Sequence, residues 1–258
     1  MDDLEIIRFR GGRPESCQDR VVDEARVSVW ANGEEVAGLM ALPGELEELA
    51  LGFLFGECFF DAPAEVLAVS ANPRLLAVSI TLARPAGREL PGAVRTLTTG
   101  CGRSVSRVSP LWAARFPKVT ASARHSAGEI QEAVRQLAQS SELFRETGGV
   151  HTAGLWFEGS FNWICDDIGR HNAADKAIGH ALRERWPLPD DAMLVCTGRL
   201  SGDIVLKSVR AGVPVLVSRS APTGGAVQLA GDHGITLVGF ARADRCNVYT
   251  HPERIRPS

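Results

Sequence analysis

The stretch best suited to chemistry is Thr98-Thr99-Gly100-Cys101-Gly102-Arg103-Ser104, which sets one cysteine between two glycines. The glycines allow positive φ and strip side-chain cover from the sulfur, and a packed core cysteine requires neither. Arg103 and Arg107 favour thiolate over thiol, and the thiolate is the nucleophile. The residues therefore point to a reactive sulfur. The alternative is a turn that happens to hold a cysteine.

Five polar clusters in the second half of the chain are the next candidates. They are Gly148-Gly149-Val150-His151-Thr152, Asp166-Asp167-Ile168-Gly169-Arg170-His171-Asn172, Thr197-Gly198-Arg199-Leu200-Ser201, Ser218-Arg219-Ser220-Ala221-Pro222-Thr223 and Ala241-Arg242-Ala243-Asp244-Arg245-Cys246-Asn247. The last three directly follow predicted strands, where ligands of open α/β sheets sit. Arg, Ser, Thr and Gly at helix N-termini bind phosphate oxygens well. Together the clusters predict a pocket for a phosphorylated, nucleotide-like ligand. The alternative is helix capping with solvated arginines. No Walker A loop is present, and no G-x-G-x-x-G follows a strand.

His151 and His171 raise the question of a metal. A zinc deaminase needs H-x-E and a later P-C-x-x-C. Here Thr152-Ala153 follows His151 and no C-x-x-C exists, so no metal site is expected. His125, His180 and His233 are expected on exposed faces. Adjacent Asp166 and Asp167 point to opposite faces of a strand, and Asp167 is the expected hydrogen-bond acceptor rather than a proton shuttle.

The elements that must position these residues follow from periodicity and turn signals. Strands are predicted at 4–8, 26–30 and 35–42, the last two joined at Asn32-Gly33. A helix over 45–55 carries acidic residues in its first turn. A strand pair at 66–70 and 75–82 flanks Asn72-Pro73, and a β-like run at 94–99 delivers Cys101. The stretch 109–120 is a candidate junction. Beyond it the pattern predicts a helix over 128–145, a hairpin at 154–157 and 161–165, and a helix over 172–186. Strands at 192–196, 213–217 and 235–240 then alternate with helices at 203–211 and 225–233. That order predicts an α/β class (α+β overall), with a smaller β-rich α+β domain over 1–118 carrying Cys101. A three-layer α/β domain over 119–258 follows it.

Composition narrows the function class. The chain has 258 residues, 45% hydrophobic and 23% charged, with a formal net charge of −3. That is an ordinary globular balance with no global pull toward nucleic acid. The acidic start, Met1-Asp2-Asp3-Leu4-Glu5, is not a secretory leader, and no apolar run approaches a membrane span. The six scattered cysteines suggest no disulfide framework, so a reducing cytoplasm is expected. Cys58, Cys165, Cys196 and Cys246 sit in apolar or strand-like surroundings and read as small buried hydrophobes.

Several separated blocks, in order, resemble the formate dehydrogenase accessory sulfurtransferase family, FdhD. They begin with the run 46–57 and Thr99-Gly100-Cys101-Gly102, and continue through His151-Thr152-Ala153, Asp167-Ile168-Gly169-Arg170-His171-Asn172-Ala173 and Asp175-Lys176. They end with the run 218–223, Leu237-Val238-Gly239-Phe240 and Val248-Tyr249-Thr250-His251-Pro252. The resemblance implies a sulfurtransferase that accepts sulfur from a cysteine desulfurase as a persulfide on Cys101. The acceptor would be the molybdenum bis(molybdopterin guanine dinucleotide) cofactor of formate dehydrogenase. It also implies a cytidine-deaminase-like second domain without zinc, a homodimer, and a cofactor-binding segment of Ala241, Arg242, Ala243, Asp244, Arg245 and Cys246. One departure stands out: Ser104 lies where many members carry a second loop cysteine. One thiol suffices to hold a persulfide, but a resolving thiol is lost. This keeps open a molybdenum-cofactor binding chaperone without sulfur transfer. A deaminase-like hydrolase is a weaker third reading, which the missing zinc ligands oppose.

Overall fold

The computed structural model describes residues 2–84 and 116–257, together with the short strands β7 (Thr96–Leu97) and β8 (Val105–Ser106) between them. An antiparallel ribbon opens the chain, formed by β1 (Asp2–Arg10) and β2 (Arg13–Val21). Gly11 and Gly12 close it at φ 58° and 81°, and the twist of such a turn suits a hairpin. The sequence pattern shows only part of β1. β2 is mostly polar and six of its nine residues are exposed, so its sequence carries little alternation to read.

Asn32-Gly33 makes the predicted turn at φ 49° and 85°. It joins β3 (Ala25–Ala31) to β4 (Glu34–Ala41). β5 (Val66–Asn72) and β6 (Ala77–Leu82) complete a four-stranded sheet ordered β4-β3-β6-β5, with β3 and β6 parallel. Val27, Val29, Ala31, Ala41, Val78, Ile80 and Leu82 are its buried members. They share one buried cluster with Leu49, Ala50, Leu54 and Phe55 of α1 (Leu46–Gly56).

The second half builds a six-stranded sheet ordered β11-β10-β12-β13-β14-β15. β10 (His151–Phe157) and β11 (Ser160–Asp167) form the predicted hairpin around Glu158-Gly159. β12 (Met193–Cys196), β13 (Val215–Ser218) and β14 (Thr236–Gly239) run parallel and are buried throughout. Strands covered on both faces read as continuous apolar runs for this reason. β15 (Asn247–Val248) adds a short antiparallel edge. One face of the sheet packs against Ile130, Ala133, Val134 and Leu137 of α2 (Ala127–Ser140). The opposite face meets α4 (Arg170–Glu184), α5 (Gly202–Ala211) and α6 (Gly224–His233). Among the described residues, no helix is long and apolar enough to cross a membrane.

The single helix expected over 128–145 is two. α2 stops at Ser140, and α3 (Glu142–Thr147) restarts after Ser141. Ser141 is extended, at φ −80° and ψ 105°, and its Oγ accepts from the Phe144 amide at 2.9 Å. A serine that caps the next helix in this way ends the previous one.

Two histidines expected on the surface are buried: His125 is 2% and His233 4% exposed. His125 lies in β9 (His125–Ser126), which the C-terminal β16 (Ile255–Arg256) covers in parallel pairing. The Val119 amide donates to the His233 carbonyl at 2.9 Å, which lays the 119 segment against the end of α6. Both coverings come from distant chain, so the local pattern cannot show them. His180 is intermediate, with 20% of its side chain exposed.

The halves meet between α1 and α4. A Cβ on Gly52 would stand 1.9 Å from the Asp175 carbonyl oxygen, and one on Gly179 would stand 2.0 Å from that of Glu48. Glycine at both positions lets the two backbones touch. Asp167 and Lys176 form a fully buried ion pair of 2.9 Å beside this crossing. Asp167 also accepts from the amides of Leu42 at 3.1 Å and Gly169 at 2.9 Å, and from Asn172 Nδ2 at 2.9 Å. It is a hydrogen-bond acceptor, as expected, and it fastens the end of β4 to the start of α4. It is the last residue of β11.

Candidate functional site

A cleft of about 450 Å³ opens at one end of the six-stranded sheet. β12, β13 and β14 point their carboxyl ends toward it and supply Thr197, Arg219, Ser220 and Arg242 from the turns that follow. β10 runs the opposite way, so its first residues, His151 and Thr152, lie there too. Ile168 follows the end of β11, and the approach to β10 adds Gly148, Gly149 and Val150. Each of the five sequence clusters therefore contributes to one cavity. This is the location that open α/β sheets reserve for ligands.

Hydrogen bonds fix the walls. Both oxygens of Asp166 are engaged: Oδ1 accepts from Thr152 Oγ1 at 2.6 Å, and Oδ2 from Ser141 Oγ at 2.7 Å. This carboxylate ties the α2–α3 junction to β10. Thr197 Oγ1 accepts from the Thr152 amide at 3.1 Å and lies 3.3 Å from His151 Nδ1. Ser218 Oγ donates to the Gly198 carbonyl at 2.6 Å and accepts from the Ser220 amide at 3.0 Å, which shapes the turn after β13. Arg242 Nη1 donates to the carbonyls of Arg219 and Ala241, so one arginine holds the backbone of the other.

The charge of the lining is one-sided. It carries Arg219 and Arg242 and, among the described residues, no carboxylate. Burial lowers the pKa of His151, Arg170 lowers it further, and Asp167 opposes them. The balance favours the neutral form of the His151 imidazole. His171 lies behind the lining, with Nε2 3.3 Å from Ser201 Oγ and 3.9 Å from Asp203 Oδ2. Burial, then Lys207, Arg170 and His151, push it down to about 3. Two arginine side chains in a lining that holds no carboxylate among the described residues suit a phosphorylated anion.

The predicted cofactor segment divides. Arg242 lines the cleft and Ala241 is buried beside it. The Arg242 amide donates to the Arg245 carbonyl at 2.7 Å, which closes a tight turn. Ala243, Asp244 and Arg245 are exposed on that turn and Cys246 is half-buried; none of these four is among the described lining residues. Thr223 serves its own helix, accepting from the Ala226 amide at 3.2 Å, so it is a cap rather than a ligand group here. The cleft also includes Leu137, Ala138, Ser141 and Phe144, which the sequence reading did not single out. Ser140-Ser141 before Glu142 was the one available signal, as a helix N-cap.

Cys101 lies outside the described residues. β7 and β8 pair antiparallel, Thr96 with Ser106 and Leu97 with Val105, and Cys101 falls midway between them in the sequence. Among the other cysteines, burial raises the thiol pKa of Cys165, Cys196 and Cys246, with Cys196 reaching about 11. Thiols held neutral in this way are poor nucleophiles.

A family model, the FdhD/NarQ family, matches residues 22–256. The sulfur carrier protein FdhD of Shouchella clausii is 36% identical over 255 residues, covering 97% of this chain and 95% of the relative. The sulfur carrier protein FdhD of Bacillus subtilis is 33% identical over 260 residues, covering 98% and 96%. Among solved structures, a formate dehydrogenase accessory protein from Desulfotalea psychrophila superposes with a TM-score of 0.82 at 29% identity, over 99% of both chains. With the match running through both halves and relatives this similar along nearly their whole length, the chain belongs to the FdhD/NarQ family.

Proposed function

We propose that this chain is a sulfur carrier serving a formate dehydrogenase. In this reading it takes sulfur from a cysteine desulfurase as a persulfide on Cys101. It passes that sulfur to the enzyme's molybdenum bis(molybdopterin guanine dinucleotide) cofactor, held as substrate in the cleft. The observation that carries the reading is the cleft itself, cationic and free of carboxylates among its described lining residues, in a chain whose relatives are named sulfur carrier proteins. Arg219 and Arg242 would bind phosphate oxygens of the guanine dinucleotide, with the 241–246 turn at its rim. Burial raises the thiol pKa of Cys165, Cys196 and Cys246 and makes these three poor sulfur acceptors, which supports the choice of Cys101.

The chemistry balances without an oxidant at the loading step. The Cys101 thiolate attacks the outer sulfur of the desulfurase persulfide. The donor's S–S bond breaks, a new one forms on Cys101, and the donor leaves as thiolate. Delivering that sulfur as sulfide consumes an electron pair. Ser104 replaces the neighbouring thiol, so the pair comes from the acceptor or from a thiol cosubstrate.

Ser104 also favours a second reading, a cofactor-binding chaperone without sulfur transfer. Mass spectrometry after incubation with a desulfurase and L-cysteine separates the two. One added sulfur on Cys101, and failure of Cys101→Ala to activate formate dehydrogenase while staying folded, support the carrier. An unmodified Cys101, under conditions that load a two-cysteine relative, supports the chaperone.

A further inference from the structure

Away from the cleft, Glu45, Cys165 and His180 bring a carboxylate, a thiol and an imidazole together, with their ligand atoms all within 4.8 Å of one another. The three come from separate elements: Glu45 precedes α1, Cys165 lies in β11, and His180 sits in α4. None is among the described residues lining the cleft. We infer that these side chains form a zinc site that clips the start of α1 to the second sheet and its covering helix.

The geometry is close to what the metal needs. Zinc bonds of about 2.0–2.3 Å in a tetrahedron put neighbouring ligand atoms roughly 3.3–3.8 Å apart. Here Glu45 and His180 stand 2.9 Å apart, and all three ligand atoms lie within 4.8 Å of one another. The donor set of nitrogen, sulfur and oxygen suits zinc rather than magnesium or calcium. Glutamate and thiolate neutralise the ion's two charges, and the imidazole adds none. That balance suits a site that is partly buried: Cys165 is 2% exposed, and the Glu45 side chain keeps 37%. Water takes the fourth position on the open side.

Two further observations point the same way. His180 turns Nε2 toward Glu45 at 2.9 Å, while its Nδ1 lies 3.3 Å from Glu184 Oε1. Glu184 in turn accepts from Trp163 Nε1 at 3.2 Å, and the Trp163 ring stacks parallel to His180 at 6.2 Å. A carboxylate on the far nitrogen is the usual support of a metal-binding histidine, fixing its tautomer and angle. Glu45, for its part, occupies the N-cap position of α1 without capping it. Its backbone is left-handed, at φ 52° and ψ 45°, an uncommon conformation for glutamate. Its carboxylate lies 2.9 Å from His180 Nε2 and makes no side-chain cap bond to the helix.

Binding is an exchange of protons for metal, with nothing oxidised. The Cys165 thiol releases its proton to solvent, and an S–Zn bond replaces the S–H bond. His180, where charged, releases its Nε2 proton as well. The proposal is independent of the sulfur-carrier reading.

The test uses the full-length chain carrying Cys101→Ser, so that the loop thiol cannot contribute. The protein is stripped with a chelator and titrated with Co²⁺. One equivalent is expected to bind per chain, with a thiolate-to-cobalt charge-transfer band that Zn²⁺ abolishes. Cys165→Ala is expected to lose the band. His180→Ala and Glu45→Gln are expected to weaken binding at least tenfold, and zinc is expected to raise the thermal midpoint of the parent but not of these variants. Absence of the band in the parent, or its persistence in Cys165→Ala, overturns the site. Should Cys165→Ala fail to fold, unchanged binding in both His180→Ala and Glu45→Gln overturns it equally.

Discussion

Arg242 and Arg245 stand three positions apart on one turn, yet only Arg242 is among the described residues lining the cleft. A charge-assisted hydrogen bond to phosphate contributes about 1.5–3 kcal/mol. On the proposed function, Arg242→Ala is therefore expected to weaken binding of GDP, used as a fragment of the guanine dinucleotide, by roughly tenfold to a hundredfold in calorimetric titration. Arg245→Ala, an exposed change, is expected to stay within about 0.5 kcal/mol. Equal losses in both variants would mean that the ligand wraps the whole turn. Behind the lining, His171 makes a pH prediction. Its pKa falls from 6.5 to about 3, through burial first and the Lys207, Arg170 and His151 charges next. A base depressed in this way binds protons more weakly folded than unfolded. Its share of stability is complete above pH 6.5 and is lost as pH falls toward 3, at about 1.4 kcal/mol per unit within that window. Urea denaturation at pH 7.5 and pH 5 should show the native protein losing about 2 kcal/mol more than His171→Gln. A parallel pH response in the two proteins would remove His171 from the account. At this scale the sequence showed which clusters were polar and where they follow strands, and all five do converge. It could not show which member of each cluster turns inward. Thr223 and Thr197 look alike in sequence, but one caps a helix and the other lines the cleft.

Among the elements, the α1–α4 crossing makes the sharpest demand. Gly52 and Gly179 each face a backbone carbonyl that cannot yield as a flexible side chain would. Alanine in an exposed helix interior gains about 1 kcal/mol over glycine. Here the gain is overridden, because the helices must separate to admit each methyl group. Gly52→Ala and Gly179→Ala are each expected to cost at least about 1–3 kcal/mol in chemical denaturation. Gly202→Ala is the control: its Cβ would meet only Leu229 at 3.8 Å, and stability should hold or rise. A neutral Gly52→Ala would mean that the crossing is looser than these distances require. Periodicity was a good guide where one face is buried and the other wet, as in β3, β4 and α2. It failed where tertiary partners decide. The mostly polar ribbon strand β2 carries little alternation, and the break at Ser141 depends on a serine that also donates to Asp166, a residue far along the chain. α1 was legible as a helix, but not as one buried on two sides, because its glycine reads in sequence as a weak point rather than as a contact.

Taken as a whole, the molecule buries its apolar residues without regard to the middle of the chain. Residues from Val27 to Leu82 and from Ala153 to Leu237 belong to one continuous cluster. The polar contacts cross the same boundary: the Leu42 amide donates to Asp167, and Lys176 Nζ donates to the Leu42 carbonyl at 3.4 Å. A domain with an independent core would satisfy its buried charges internally. Here both members of the Asp167–Lys176 pair lie in the second half, but the Leu42 amide and carbonyl of the first half complete their hydrogen bonds. Removing the first half exposes Ala173, Ala174, Ala177 and Ile178 of α4 and lets water reach the pair. The full chain is accordingly expected to unfold in a single calorimetric transition, with calorimetric and van't Hoff enthalpies equal. The segment 119–258, expressed alone, is expected to bind a hydrophobic dye and to lack near-UV circular dichroism, the marks of lost side-chain packing. Two resolved transitions in the full chain, or a segment with native-like near-UV signal, would show two self-sufficient domains. The cleft would then belong to the second half alone, and the first half would be a detachable support for the Cys101 segment. The expected outcome gives the first half a larger part. By clamping β4 and α1 against α4, it would hold α4 in register with β11, whose Asp166 anchors the cleft wall. A packing change at Gly52 should then lower nucleotide affinity as well as stability. That coupling is measurable in the same Gly52→Ala protein by titration with GDP.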